Sequence, residues 1–313
     1  MAVSASAVKE LRELTGAGML DCKNALVETD GDIKKAIDYL REKGLAAAAK
    51  KAGRIAADGL VHTMISADGQ RGVVVEVNCE TDFVAKNDEF RAFVNSVASQ
   101  ALASKNQRLE DFLAEPWIND AGISVADAVS GQVARIGEKI DIRRFDVIEK
   151  GEGGVFATYI HGNGKIAVLL EMEAPAGCEK AAEAGKNLCM QIAALFPKYV
   201  SANDIDPEFM TKEREIIRAL TMNEEAESGN KKPAAVVEKM IEGRLAKQLK
   251  EVCLMDQPYV KDNGVTCAQY LEAVSREAGA AVAARRFVCY EKGEGIEKRE
   301  DNFGEEISKM IGN

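Results

Sequence analysis

The chain has 313 residues, 46% hydrophobic and 29% charged, a balance ordinary for a globular protein of about two domains. Its net charge of −10 argues against nucleic acid as the main partner, because neutralising phosphates takes a basic surface. No apolar run approaches a membrane span, and the start from Met1 to Glu10 lacks the basic and apolar regions of a signal peptide, so a cytoplasmic protein with no membrane partner is expected. The seven cysteines are scattered and never spaced CxxC, which points to free thiols in a reducing compartment.

Residues 1–55 read as a small helical module of three short helices. Val8, Leu11 and Leu14 form a stripe that stops at Thr15-Gly-Ala-Gly18. Asp21 offers a cap for a second helix carrying Cys22, Ala25 and Leu26. After the turn Asp30-Gly31-Asp32, a third helix carries Ile33, Ala36, Ile37 and Leu40, with Gly44 as its expected stop and Ala46 to Arg54 as a linker. So small a core suits binding better than catalysis.

Two α+β subdomains follow, residues 56–150 and 151–292, because the chain repeats itself. The stretch Gly59 to Gly69 matches Gly154 to Gly164 at an offset of 95, and both read as hairpins with an Asp-Gly or Asn-Gly turn. Continued without a gap, that register sets Val73 on Val168, Glu76 on Glu171, Phe93 on Leu188 and Val97 on Ile192. The match Arg143-Arg144-Phe145…Glu149-Lys-Gly-Glu-Gly153 to Arg285-Arg286-Phe287…Glu291-Lys-Gly-Glu-Gly295 has an offset of 142, which places about 47 extra residues in the second copy between Phe196 and Arg285. They are assigned to a helical hairpin over 207–256, with Phe209, Ile216 and Leu220 on one arm and Val237, Ile241, Leu245, Leu249 and Val252 on the other. Residues 293–313 form a C-terminal module in which Phe303, Ile307 and Met310 share one helical face, free to pack on the body or on a partner.

Within the first copy, Val73, Val74, Val75 and Val77 predict a buried strand, and Phe90, Phe93, Val94, Val97 and Ala101 predict a helix. Between them lies Thr81-Asp82-Phe83-Val84-Ala85-Lys86-Asn87, where Thr81, Asp82 and Asn87 are each suitable N-caps. An aromatic on so tight a connection either folds into the core, which the hydrophobic effect alone favours for Phe83, or is presented to a partner. In the gapless register Cys178 stands opposite Phe83, and Thr-Asp-Phe-Val occurs once, which moves the reading towards presentation.

No catalytic constellation is present. His62 and His161 occupy non-equivalent positions of the repeat, Cys79 has no base beside it, and Gly16-Ala-Gly18 follows a helix where a dinucleotide loop would follow a strand. No cofactor and no metal site is expected, and the chain is not read as an enzyme.

Two motifs, Thr15-Gly-Ala-Gly-Met-Leu-Asp-Cys-Lys-Asn-Ala-Leu26 and Val77-Asn-Cys-Glu-Thr-Asp-Phe-Val-Ala-Lys-Asn87, resemble those of the elongation factor Ts family, as do Ala56-Ala-Asp-Gly59 and Gly293-Glu-Gly-Ile-Glu-Lys298. The resemblance spans the chain. Leu20 and Asn24 depart from common family residues, and the region from Ser104 to Asp127 looks individual. It implies an α+β fold with an N-terminal ubiquitin-associated-like three-helix domain, duplicated core subdomains, a protruding antiparallel coiled coil and a C-terminal helix. It further implies a guanine-nucleotide exchange factor for elongation factor Tu in translation elongation, forming at least a heterodimer with that GTPase. Thr81, Asp82, Phe83 and Val84 would then reach the partner's magnesium and phosphate site, while the N-terminal module, with Met19 and Leu20, and the C-terminal helix would grip the same G domain. The second subdomain would reach another domain of the partner. A rival reading, an adaptor that binds ubiquitin-like folds without exchange activity, accounts for the N-terminal module alone.

Overall fold

The computed structural model describes residues 3–228 and 233–297. The fold is α+β. Helix α1 (Ala5–Thr15) starts at a Ser4 cap and ends at Gly16, whose left-handed backbone (φ 65°) suits glycine. In α2 (Met19–Glu28) the cap position is Gly18, and Asp21 lies in the first turn without capping it. Helix α3 (Ile33–Lys51) starts at Asp32, whose side chain accepts from the Lys35 amide. It does not stop at Gly44. Gly44 is buried in mid-helix where α3 packs on α7 (Val125–Ile136), and a Cβ there would make only ordinary contact, 3.5 Å from Ala134 and the Ser130 carbonyl. Leu11, Cys22, Ala25, Leu26 and Ala36 are fully buried between the three helices.

Strands β1 (Asp58–Ile65), β2 (Arg71–Cys79) and β5 (Ile140–Glu149) form an antiparallel sheet with β2 central. Along the chain between β2 and β5 come α4 (Asp82–Ala85), α5 (Asp88–Ala103), α6 (Leu109–Leu113), the hairpin β3 (Pro116–Trp117) and β4 (Asp120–Ser124), and α7. The second copy repeats this order: β6 (Gly154–His161), β7 (Ile166–Glu173), α8 (Glu179–Leu195), the hairpin β8 (Pro258–Tyr259) and β9 (Asp262–Thr266), α11 (Cys267–Ala278) and β10 (Ala283–Glu291). Helices α9 (Pro207–Ser228) and α10 (Ala234–Val252) interrupt it after α8 and bury Ile217, Ile241 and Leu245 against one another. The C-terminal helix expected beyond Lys298 lies outside the described residues.

Both central strands are apolar on two faces, because each separates a helical layer from the other sheet. Val73, Val75 and Val77 face the helices of their own copy, whereas Val74 joins Val61 and Ile148 against Ala167, Leu169 and Tyr290 of the second sheet. The same alternation turns Glu76 and Glu171 into the space between the sheets, where both are buried. A buried carboxylate persists only if paired. Glu76 is met by Arg143 at 3.0 Å and Arg144 at 2.6 Å, and Glu171 by Arg286 at 2.7 Å and Arg285 at 3.7 Å. Each also accepts a backbone N–H from the turn that closes the opposite copy, Gly293 on Glu76 and Gly151 on Glu171, both at 2.7 Å. The repeated Arg-Arg-Phe and Glu-Lys-Gly-Glu-Gly segments thus make a reciprocal clasp.

One expected equivalence fails. Gln100 of α5 accepts from the Ile118 amide at 2.7 Å, and Gln191 of α8 accepts from the Val260 amide at 2.8 Å, so these two glutamines hold matching hairpins. They therefore set Phe93 on Ala184 and Val97 on Leu188, one helical turn away from the gapless register. A slip of one turn keeps apolar positions on the same face, which is why the wrong register looked consistent. The hairpins also repeat, Pro116-Trp117 with Pro258-Tyr259, each paired to a following strand.

Candidate functional site

The slip has a local cause. From the end of the central strand to the cap of the long helix, the first copy runs Cys79 to Asn87 and the second only Ala174 to Cys178. The surplus is one helical turn, α4, and it carries Asp82-Phe83-Val84-Ala85. Phe83 has no counterpart at all, and Cys178 instead occupies the cap position that Asn87 fills in the first copy.

The turn is held from three sides. Thr81 caps it, its hydroxyl accepting from the Val84 amide at 3.4 Å and donating to Glu138 at 2.7 Å, while its amide donates to the other Glu138 oxygen at 3.0 Å. Ala85 is buried and Val84 half-buried against the core of the first copy. Asn87 caps α5 by accepting from the Glu89 amide at 2.7 Å. Next to it, Glu80 accepts from the Lys139 amide at 2.6 Å and from Arg54 at 3.2 Å. Glu138 and Lys139 were not singled out from the sequence, since they follow α7 and carry no local motif, and Glu80 lies inside the Val77–Asn87 motif without a role of its own there.

Asp82 is not a cap. It pairs with Lys86 one turn on at 2.6 Å, and that hydrogen bond holds its carboxyl below the usual aspartate range. Phe83 is the outlier: its side chain is 81% exposed, with the Lys86 ammonium 6.0 Å from the ring centroid. The core placement that hydrophobicity favoured is therefore not adopted. Beneath the turn, the Cys79 thiol donates to the Thr81 carbonyl at 3.1 Å, and burial pushes it up to about 12, far from a nucleophile's range.

Met19 and Leu20 occupy the first turn of α2 and are 58% and 69% exposed. Leu14 and Val27 of the same module are exposed too. The module thus keeps a small buried core and leaves large apolar side chains in solvent. Between it and the first copy runs a cleft of about 1060 Å³, lined by Leu14, Arg41, Glu89, Trp117 and Arg135 among others. Two of its charged pairs close internally, Arg41 on Asp127 and Arg135 on Glu89.

Neither histidine sits in a reactive cluster. Burial lowers His62 below the usual histidine range, and His161 shares a 2.9 Å hydrogen bond with Tyr159. Among the described residues no cluster of His, Cys, Asp or Glu could hold a metal ion, and no helix is long and apolar enough to cross a membrane. What the site can do chemically is present an aromatic and a carboxylate, rigidly, at a surface.

A family model described as Elongation factor TS matches residues 80–294. Curated relatives named Elongation factor Ts are 48% identical over 310 residues in Clostridium botulinum (strain Alaska E43 / Type E3) and 49% identical over 310 residues in Clostridium perfringens (strain 13 / Type A), each match covering 99% of both chains. One from Clostridioides difficile (strain 630) is 47% identical, again over 99% of both.

Proposed function

Because the chain belongs to the elongation factor Ts family, we propose that it is the guanine-nucleotide exchange factor of elongation factor Tu, acting in the cytoplasm during translation elongation. The observation that carries the reading is Phe83, 81% exposed on a turn that the duplicated copy lacks. A fold that can bury large aromatics elsewhere, as at Phe90 and Phe112, leaves this one out while holding its backbone with Glu138 and the Thr81 cap. Thr81 and Val84 are read as the frame of the wedge, Asp82 and Phe83 as its tip. The tip enters the G domain beside the magnesium and phosphates of the bound GDP, and Met19 and Leu20 on the N-terminal module contact the same domain. The N-terminal module is read as ubiquitin-associated-like, the α9–α10 arm as an antiparallel coiled coil, and residues 1–55, 56–150, 151–292 and 293–313 as the working units.

Energetics limit what the tip alone can do. A nanomolar nucleotide complex is worth about 12 kcal/mol, and each tenfold loss of affinity takes about 1.4 kcal/mol. Burying one Phe supplies about 1.5–3 kcal/mol. The rest must come from the wider grip, which binds the nucleotide-free partner better than the GDP-bound one, while the wedge aims that preference at the magnesium site. No covalent bond is made or broken, so the activity is displacement and not reaction chemistry.

The test is release of fluorescent GDP from elongation factor Tu, chased with unlabelled GTP. Acceleration by about a hundredfold, equivalent to ~2.7 kcal/mol off the barrier, is expected, with the factor expelled again by excess GDP and magnesium. A release rate unchanged at saturating factor would overturn the reading.

A further inference from the structure

The two halves of the clasp are built alike, yet one of them makes an additional contact beside the wedge. The turn after β10 places Gly293 on Glu76, as the turn after β5 places Gly151 on Glu171. On the Glu76 side the network continues. The Asn78 side-chain Nδ2 donates both to Glu76 at 3.2 Å and to the Asp58 carbonyl at 3.0 Å, and the Asp58 carboxylate receives the Lys292 ammonium. Asp58 is the first residue of β1 and pairs across the sheet with Cys79, and Cys79 in turn donates to the Thr81 carbonyl. Lys292 therefore pins, from the other copy, the start of β1, the residue paired across the sheet with the β2 end from which the Phe83 turn departs.

The mirror site lacks this device. Lys150 stands in the first copy's turn where Lys292 stands in the second, but the position matching Asp58 is Gly153, which has no carboxylate. The asymmetry follows the wedge: the copy that carries α4 has the extra ion pair, and the copy without it does not. Asp82 feels the same ammonium. After the larger effect of its Lys86 hydrogen bond, the positive charge of Lys292 also helps hold its carboxyl low.

We propose that Lys292, through its ion pair with Asp58, is a positioning residue for the Thr81–Val84 wedge, so that the second copy sets the angle at which the first presents Phe83. This rests on the exchange reading for its functional consequence, but its structural half stands independently. Ion pairs at a half-exposed surface stabilise little by themselves. The Lys292 side chain is 24% exposed and that of Asp58 30% exposed, so the expected effect is on the local order of the turn and leaves global stability nearly unchanged.

The test uses the full chain with Lys292→Met, Lys292→Arg and, as the internal control, Lys150→Met. Hydrogen–deuterium exchange is followed at the amides of Ala85, Lys86 and Asn87, which close the α4 turn onto Thr81, Asp82 and Val84. Exchange about tenfold faster in Lys292→Met, restored by Lys292→Arg and unchanged in Lys150→Met, is the expected result. With elongation factor Tu carrying fluorescent GDP, the same variant should lower the maximal release rate about tenfold while the half-saturating concentration moves less than about twofold, the split expected of lost alignment. Unchanged amide exchange in Lys292→Met overturns the proposal, and so does equal loosening by Lys150→Met, which would mean a general weakening of the clasp. If the wild-type chain accelerates no release, the exchange reading falls, and the amide data still decide whether Lys292 positions the turn.

Discussion

Glu171→Gln removes one charge from the space between the sheets while keeping the shape of the side chain. The carboxylate is 2% exposed and accepts from the Gly151 amide and from Arg286, each at 2.7 Å, with Arg285 at 3.7 Å. Glutamine keeps an oxygen for Gly151 but gives up both ionic partners. Breaking a buried pair costs about 3–5 kcal/mol, and a single charged hydrogen bond contributes about 1.5–3 kcal/mol. The side chains of Arg286 and Arg285 are 54% and 30% exposed and stay hydrated without the carboxylate, which favours the lower figures. The expected loss is about 2–3 kcal/mol, a fall in the urea midpoint of about 0.7–1 M if the slope is about 3 kcal/mol per M.

That loss should depend on pH in a defined sense. Burial pushes the Glu171 carboxyl up, but the Gly151 amide and the two guanidiniums outweigh it and hold the group below its ordinary value of 4.5. A carboxyl whose folded value is depressed stabilises fully above the unfolded value and loses that contribution as pH falls through the folded one. The gap between wild type and Glu171→Gln should therefore be constant from neutrality to about pH 5 and close on acidification below about pH 4.5. Urea melts at a series of pH values measure it. A variant within 0.5 kcal/mol of wild type at pH 7, or a gap independent of pH, would refute the view that this cluster clasps the two sheets.

Gly185→Ala should destabilise by about 1–3 kcal/mol in thermal melts despite alanine's better helix propensity, since the new methyl meets the Ala157 side chain at 2.6 Å and the Met172 sulfur at 2.9 Å. Gln100→Ala frees the Ile118 amide and removes the 2.8 Å bond to Glu115, so about 1–3 kcal/mol should be lost in chemical denaturation, with amide exchange at the β3–β4 hairpin accelerated first. The Cys79 thiol, pushed up to about 12 by burial, should alkylate in the native protein at pH 8 on the time scale of unfolding, because its thiolate fraction there is about one in ten thousand. Rapid stoichiometric labelling of Cys79, read by mass spectrometry, would contradict its placement.

Much of the architecture was readable from the sequence because it is duplicated. The two Arg-Arg-Phe segments, the two glycine-bounded hairpins and the Val-rich strand all predicted elements that the fold contains. What misled was periodicity itself: α5 and α8 match nearly as well when displaced by one turn, and it takes the long-range bonds of Gln100 and Gln191, with the cap positions Asn87 and Cys178, to distinguish the registers. The error hid the fact that α4 is an insertion, which is a stronger sign of a presented loop than the Cys178 comparison. The capping roles were open for a similar reason. Thr81, Asp82 and Asn87 all have capping side chains, and the partners that assign them, Glu138 for Thr81 and Lys86 for Asp82, depend on tertiary geometry. Gly44 read as a stop because the packing of α3 on α7, which carries the helix through it, is not visible in local sequence.

The central claim is that exposed Phe83 acts on the partner and not on the fold. Release of fluorescent GDP from elongation factor Tu by wild type and Phe83→Ala, at saturating factor and with melting temperatures measured in parallel, tests it most directly. A side chain 81% exposed contributes little to its own fold, so the variant should melt within about 1 °C of wild type. Its maximal release rate should fall at least about tenfold, at most back to the unassisted rate, as the ~1.5–3 kcal/mol gained when the ring is buried in the complex is lost. Unaltered release at saturation, or a large drop in melting temperature, would contradict the account.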